Sequence, residues 1–242
     1  ERQIEVGEVY QPEKGGEYLM PYVWLDKNSA AVELFESQPD RRLTSEMHRE
    51  DYIRFFVHPE MIHEYREKGL VDLLSFAGEY KVKPTASTRT VMTRGLPYNY
   101  MIKANMEKLV GFLRRKMKIS AVRQSNQIMS EFADIESLAP ESLAYLPETI
   151  GVVYDTDIGM LIRECQPKPK VADRRYLIPF FSLISLDAAQ PEDPLLLCQI
   201  VENQPKNPFD VFSEMILLPL IEAWAYLVFE RGILPIPHMQ NL

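Results

Sequence analysis

The chain has 242 residues, 46% hydrophobic and 26% charged, enough apolar material for one large domain or two modest ones, which excludes global disorder. A formal net charge of −8 and a pI near 5.2 make the average surface repel polyanions, so no nucleic acid is implied as a partner. The two cysteines, Cys165 and Cys198, have no histidine or second thiol at ligand spacing; this excludes a disulfide framework or zinc knuckle and fits a reducing cytoplasmic setting.

The charged first residues lack the apolar run of a signal peptide. Residues 7–16 and 37–46 are polar and turn-rich. Between them PYVWLDKNSAAVELF joins a short aromatic segment to an expected helix start at Asn28 or Ser29. HPEMIHEYREKGL predicts a short helix, with Pro59 suited to the first position, Met61, Ile62 and Tyr65 as its apolar side, and Gly69 as its stop. From Val71 to Lys103 the runs VDLLSF, YKVK, RTVM and YMIK are punctuated by Gly78, Pro84, Gly95 and Pro97, which predicts an antiparallel sheet.

Met106, Leu109, Phe112, Leu113 and Met117 then recur near helical spacing behind Asn105 as a cap. Arg114, Arg115, Lys116 and Lys118 load the far end, where the helix dipole favours cations, and a helix is expected. SNQIMSEFADIESL predicts a second helix, and IGVVYDTDIGMLIRE a hairpin turning about Asp155 and Asp157. After the linker-like QPKPKVADRR, the segments PEDPLLLCQIVEN and PFDVFSEMILLPLIEAWAYLVFERG look helical. The apolar run from Phe212 to Phe229 is interrupted by Glu214, Pro219 and Glu222, which are costly at bilayer depth, so it predicts a buried helix and no membrane partner. The expected fold class is α+β, with an antiparallel-sheet domain over residues 1–165 and the start of a mainly helical domain over 166–242.

The stretch KPTASTRTVM puts the hydroxyls of Ser87, Thr88 and Thr90 and the guanidinium of Arg89 into four residues. Such a set suits a phosphate group, although on composition alone a strand edge with one solvated arginine is the commoner arrangement. Lys103 and Arg123 add two cations that folding can bring to the same anion. His58 and His63 are five residues apart, about 140° around a helix, and no carboxylate or thiol completes a metal site. His238 lies in a polar loop beside Gln240 and Asn241. No Walker loop, GxGxxG, GxSxG or HExxH occurs.

Taken in order, FFVHPEMIHEY, GLVDLLSF, PTASTRTV, YMIKA, ISAVR, GVVYDTDIGMLIRE, LIPFFSLIS and GILPIPHMQN resemble the IucA/IucC family of siderophore synthetases, from about His58 to the last residue. The most specific elements are the S-x-R-T of Ser87, Arg89 and Thr90 and the H-x-Q-N of His238, Gln240 and Asn241. The resemblance implies an ATP-dependent ligase of siderophore biosynthesis that uses ATP and Mg2+. It would adenylate citrate or a dicarboxylate derivative and pass the acyl group to an amine or alcohol. It implies that Ser87, Arg89, Thr90, Lys103 and Asn241 bind the nucleotide, and that Arg123 and His238 are the catalytic candidates. A cytoplasmic location and room for a homodimer go with it.

Departures from the family pattern keep alternatives open. Ile119 stands where the family has threonine, Ile236 where it has glutamate, and Lys116 or Lys118 can take the role given to Lys103. Full members are more than twice this long, so an excerpt, a split-gene product and a degenerate paralogue are all compatible. A non-catalytic nucleotide- or carboxylate-binding paralogue is the alternative function, and a ferric-siderophore iron-release protein a further one.

Overall fold

The alternating segments expected between Gly78 and Lys103 form the middle of a much wider sheet. The computed structural model describes residues 6–11, 16–110, 113–133, 140–168, 178–187 and 190–235. The chain divides into two units, one of residues 1–134 and 146–166, the other of residues 135–145 and 167–242.

In the first unit nine antiparallel strands pair in one sheet: β1 (Tyr18–Asp26), β2 (Val32–Glu36), β3 (His48–Arg49), β4 (Tyr52–Phe56), β5 (Gly78–Ser87), β6 (Thr90–Thr93), β7 (Tyr100–Ala104), β10 (Glu148–Tyr154) and β11 (Ile158–Glu164). Their order is β2-β10-β11-β7-β6-β5-β1-β4-β3, so β2 finds its partner more than a hundred residues downstream. A separate two-stranded ribbon pairs β8 (Met106–Val110) with β9 (Leu113–Arg115). With α1 (Arg41–Met47), α2 (Ile62–Glu67) and α3 (Ile119–Ala133) around the sheet, the fold class is the α+β one expected.

Successive side chains of a strand face opposite ways, which gives this sheet two different surfaces. On β7, Tyr100, Ile102 and Ala104 enter a core with Met20, Phe55, Phe56, Val82, Val91, Ile150, Val152, Met160 and Ile162, while Met101 and Lys103 face the other way. On that other surface α3 covers β10 and β11, packing Val122 with Met117, Val153 and Leu161. The helix comes so close that a Cβ on Gly151 would lie 2.5 Å from Val122 Cγ1, and one on Gly159 3.0 Å from Met117 Cγ. Two glycines in the hairpin are thus the condition for α3 to cover it.

Several local expectations hold. Residues 58–70 form a helical turn at Pro59–Met61 followed by α2, with His58 Nδ1 accepting from the Glu60 backbone N at 3.3 Å. The hairpin of residues 150–164 is β10 and β11, its turn holding Asp155 and Thr156 at φ 49° and 60°.

Other expectations are corrected. No helix starts at Asn28 or Ser29: Asp26 Oδ1 accepts from the Asn28 backbone N in a turn, and the chain re-enters the sheet as β2. VDLLSF is a 3-10 turn over Val71–Leu74 rather than a strand. The helix expected after Asn105 is the β8–β9 ribbon. Asn105 is buried, accepts from the Met117 backbone N at 2.7 Å and donates to Tyr65 Oη at 3.0 Å, so it closes the base of the ribbon instead of capping a helix. The helix placed at residue 125 begins at Ile119.

The second unit holds α4 (Phe180–Leu183), α5 (Leu196–Glu202) and a long helix over Pro208–Glu230. Asn207 caps the long helix by accepting from the Phe209 backbone N at 2.9 Å, with Pro208 in the first turn. Wider, π-type turns interrupt it at Ser213–Leu217 and Tyr226–Glu230. The first of these ends two residues before Pro219, whose missing N–H removes one rung of the helical ladder. The expectation of a buried helix is overturned: Val211, Ala223 and Leu227 are buried, but Phe209, Met215, Leu218, Ile221 and Phe229 are exposed. Among the described helices it alone is long and apolar enough to cross a membrane.

Candidate functional site

The hydroxyl-rich stretch folds into a tied turn. β5 ends at Ser87 and β6 begins at Thr90, with a register shift between Pro84 and Ser87, where proline has no N–H for the ladder. Thr85 Oγ1 donates to the Thr90 carbonyl at 2.8 Å, and the Ala104 backbone N donates to the Arg89 carbonyl at 3.0 Å. Thr88 is buried, and its backbone hydrogen-bonds the ring of His58. His58 is itself 1% exposed, with Nε2 3.3 Å from Tyr18 Oη. Burial pushes the imidazole down to about 4, against the opposing hydrogen bond to Thr88, so it is neutral at physiological pH.

Register brings the cations to this turn. Residues directly opposite on paired strands face the same way. Thr90 stands opposite Lys103, Met101 opposite Arg163, and Arg163 opposite Glu148. Thr90, Lys103, Arg163 and Glu148 therefore share the surface that faces away from the core, next to α3. Glu148 Oε1 accepts from Arg163 Nη2 at 2.6 Å and lies 3.4 Å from Lys103 Nζ, while Oε2 accepts from Ser125 Oγ of α3 at 2.5 Å.

The electrostatics follow from burial and proximity. Burial holds the Lys103 ammonium below the ordinary lysine range; Glu148 opposes this, and the charges of Arg163 and Arg89 reinforce it. Burial works against ionisation of Glu148, yet Arg163, Lys103 and Ser125 together outweigh it and keep the carboxyl below the usual carboxylate range. Two cations, Lys103 and Arg163, thus share one carboxylate on an otherwise acidic protein.

Of the residues singled out in the sequence, Ser87, Arg89, Thr90 and Lys103 lie together across β5, β6 and β7. Arg123 has a different partner: its Nη2 donates to both carboxylate oxygens of Glu33 at 3.0 and 2.9 Å, at an exposed position. Lys116 pairs with Asp157 at 2.8 Å. His238 and Asn241 fall outside the described residues. Arg163, Glu148, Ser125 and His58 were not singled out as site residues. Only strand register could have found the first two, because MLIRE and PETIG carry no motif. Among the described residues no group of three or more His, Cys, Asp or Glu could hold a metal ion, and Glu148 is already engaged by two cations. These residues do not fit a protein-held Mg2+.

Solved structures with this arrangement of strands and helices exist. The petrobactin biosynthesis protein AsbB from Bacillus anthracis str. Sterne aligns over 99% of this chain at 17% identity with a TM-score of 0.74. The fold is that of the siderophore synthetases. Aerobactin synthetase IucC from a hypervirulent pathotype of Klebsiella pneumoniae aligns over the whole chain at 15% identity and TM-score 0.70. The ATP-bound aerobactin synthetase IucA from a pathotype so described aligns over 97% at 16% identity and TM-score 0.65. The chain spans about half the length of these synthetases, 46%, 49% and 48% respectively. No protein-family model and no curated protein matches it.

Proposed function

We propose that this chain is the nucleotide- and carboxylate-binding part of a siderophore-synthetase-type ligase. It would activate a citrate-type carboxylate with ATP for condensation with an amine or alcohol. The observation that carries the reading is the convergence of the Ser87–Thr90 turn with Lys103 and Arg163 on one surface of this sheet. One of the structures sharing the fold is described as ATP-bound.

The chemistry gives the cluster its task. A carboxylate attacking a phosphate is one anion approaching another, so fixed cations and donors must offset the repulsion and stabilise the departing pyrophosphate. The hydroxyls of Ser87 and Thr90 would donate to phosphate oxygens. Arg89 supplies a forked pair of donors, and Lys103 and Arg163 supply charge that the fold has already partly stripped of water. No step is assigned to a metal ion.

Calorimetric titration with ATP tests the reading. Replacing Arg89→Ala removes a charge-assisted contact worth roughly 1.5–3 kcal/mol, so ATP affinity is expected to fall at least about tenfold. Unchanged affinity would count against the site. Citrate-dependent exchange of pyrophosphate into ATP is expected of a working ligase, and ATP binding without exchange marks the non-catalytic alternative.

A further inference from the structure

The register that assembles the cations also sets a carboxylate among them. The Glu148 side chain is 10% exposed, whereas Lys103 and Arg163 keep 26% and 35% of theirs exposed. Solvent reaches the cations, and the carboxylate between them is covered. Its Oε1 already takes one oxygen's place between Lys103 and Arg163, and its Oε2 is anchored by Ser125. Arg163 Nε is buried with no hydrogen-bond partner among the described residues, so the guanidinium has a donor to spare. The ladder to β11 shifts register directly after Glu148, and the Glu148 backbone N donates to Met129 Sδ of α3 at 3.2 Å.

We propose that Glu148 is an internal counter-anion that fills the ligand's place between Lys103 and Arg163 and must give way, so that the cluster accepts polyanions and refuses single carboxylates. The proposal rests on the anion-binding reading of this surface. A tethered carboxylate competes at an effective concentration of millimolar order or above, without the association cost a free anion bears. A free monocarboxylate offers the cations no more than Glu148 does. A pyrophosphate group brings more charge and more oxygens, and can engage Lys103 and Arg163 together. Were Glu148 instead a positioning residue for the cations, its removal would weaken binding, so the sign of the effect decides.

The test is calorimetric titration of the full chain with inorganic pyrophosphate and, separately, with acetate. Wild type is expected to bind pyrophosphate and to ignore millimolar acetate. Glu148→Gln, which keeps the shape and removes the charge, is expected to bind pyrophosphate about tenfold more tightly and to bind acetate measurably. Ser125→Ala keeps the charge but loosens the anchor, so it should tighten pyrophosphate binding about two- to threefold and serves if Glu148→Gln fails to melt cooperatively. Weaker or unchanged pyrophosphate binding in the folded variants overturns the proposal. ATP titration separates the two readings. Wild type that binds ATP while Glu148→Gln binds pyrophosphate less well sinks the counter-anion alone. Tighter pyrophosphate binding in the variant, with no ATP binding in either protein, sinks the nucleotide reading alone.

Discussion

The two units use apolar residues in opposite ways. In the sheet unit Phe55 is 1% exposed, enclosed by strands that pair across long stretches of sequence, whereas in the helical unit Phe229 is 76% exposed on a helix built from local contacts. A sheet closes its core only when distant segments arrive in register, so the apolar side chains on its core face end up enclosed. A helix forms along its own length and needs no such closure. Apolar content alone therefore says little about burial, and the 46% of hydrophobic residues is spent differently in each unit.

The contrast can be broken or sharpened by measurement. The largest effect is expected from Phe55→Ala, which should cost about 3–5 kcal/mol in chemical denaturation because the cavity lies in an enclosed core. A loss below about 1 kcal/mol would mean that the core of the sheet is no better packed than its surface. Next is acid. His58 is held at about 4 in the fold against an ordinary value of 6.5, so the unfolded chain binds its proton first as pH falls. Stability tied to this residue is intact above 6.5 and declines by roughly 3 kcal/mol between 6.5 and 4. Melting curves across that window should show an excess pH dependence that His58→Gln removes, and an identical slope in the variant would contradict the buried neutral ring.

A smaller effect is expected at the helix–sheet contact. Gly151→Ala places a methyl against Val122, and the crowding should cost about 1–3 kcal/mol in denaturant midpoint. The smallest belongs to the helical unit, where Phe229→Ser should change stability by no more than about 0.5 kcal/mol while reducing binding of a hydrophobic dye. A loss as large as that of Phe55→Ala would show that the exposed helix face is enclosed in solution.

Much of the sheet unit was legible because its signals are local. Pro59 and Gly69 bound the α2 region, and the GVVYDTDIGML pattern fixes a hairpin whose turn accepts Asp155 in the left-handed region. The β8–β9 ribbon was not legible, since Met106, Leu109, Leu113 and Met117 fit helical spacing as well as they fit a short hairpin. The outcome turns on Asn105, whose buried amide bonds Tyr65 and Met117 rather than the start of a helix. The proposed anion site divides in the same way. Ser87, Arg89 and Thr90 announce themselves by adjacency, whereas Arg163 and Glu148 look like any other charged residues at the ends of strands.

The sequence by itself determined the α+β class, the adjacency of hydroxyls and arginine at residues 87–90 and the β10–β11 hairpin, because each is written in residues within a few positions of one another. Only the tertiary structure decided that Lys103 faces Glu148 and Arg163 while Arg123 pairs with Glu33, and that the long apolar helix is exposed. The physical reason is that strand register between distant segments sets which charges meet. A slip of one residue would turn Lys103, Arg163 or Glu148 to the opposite surface.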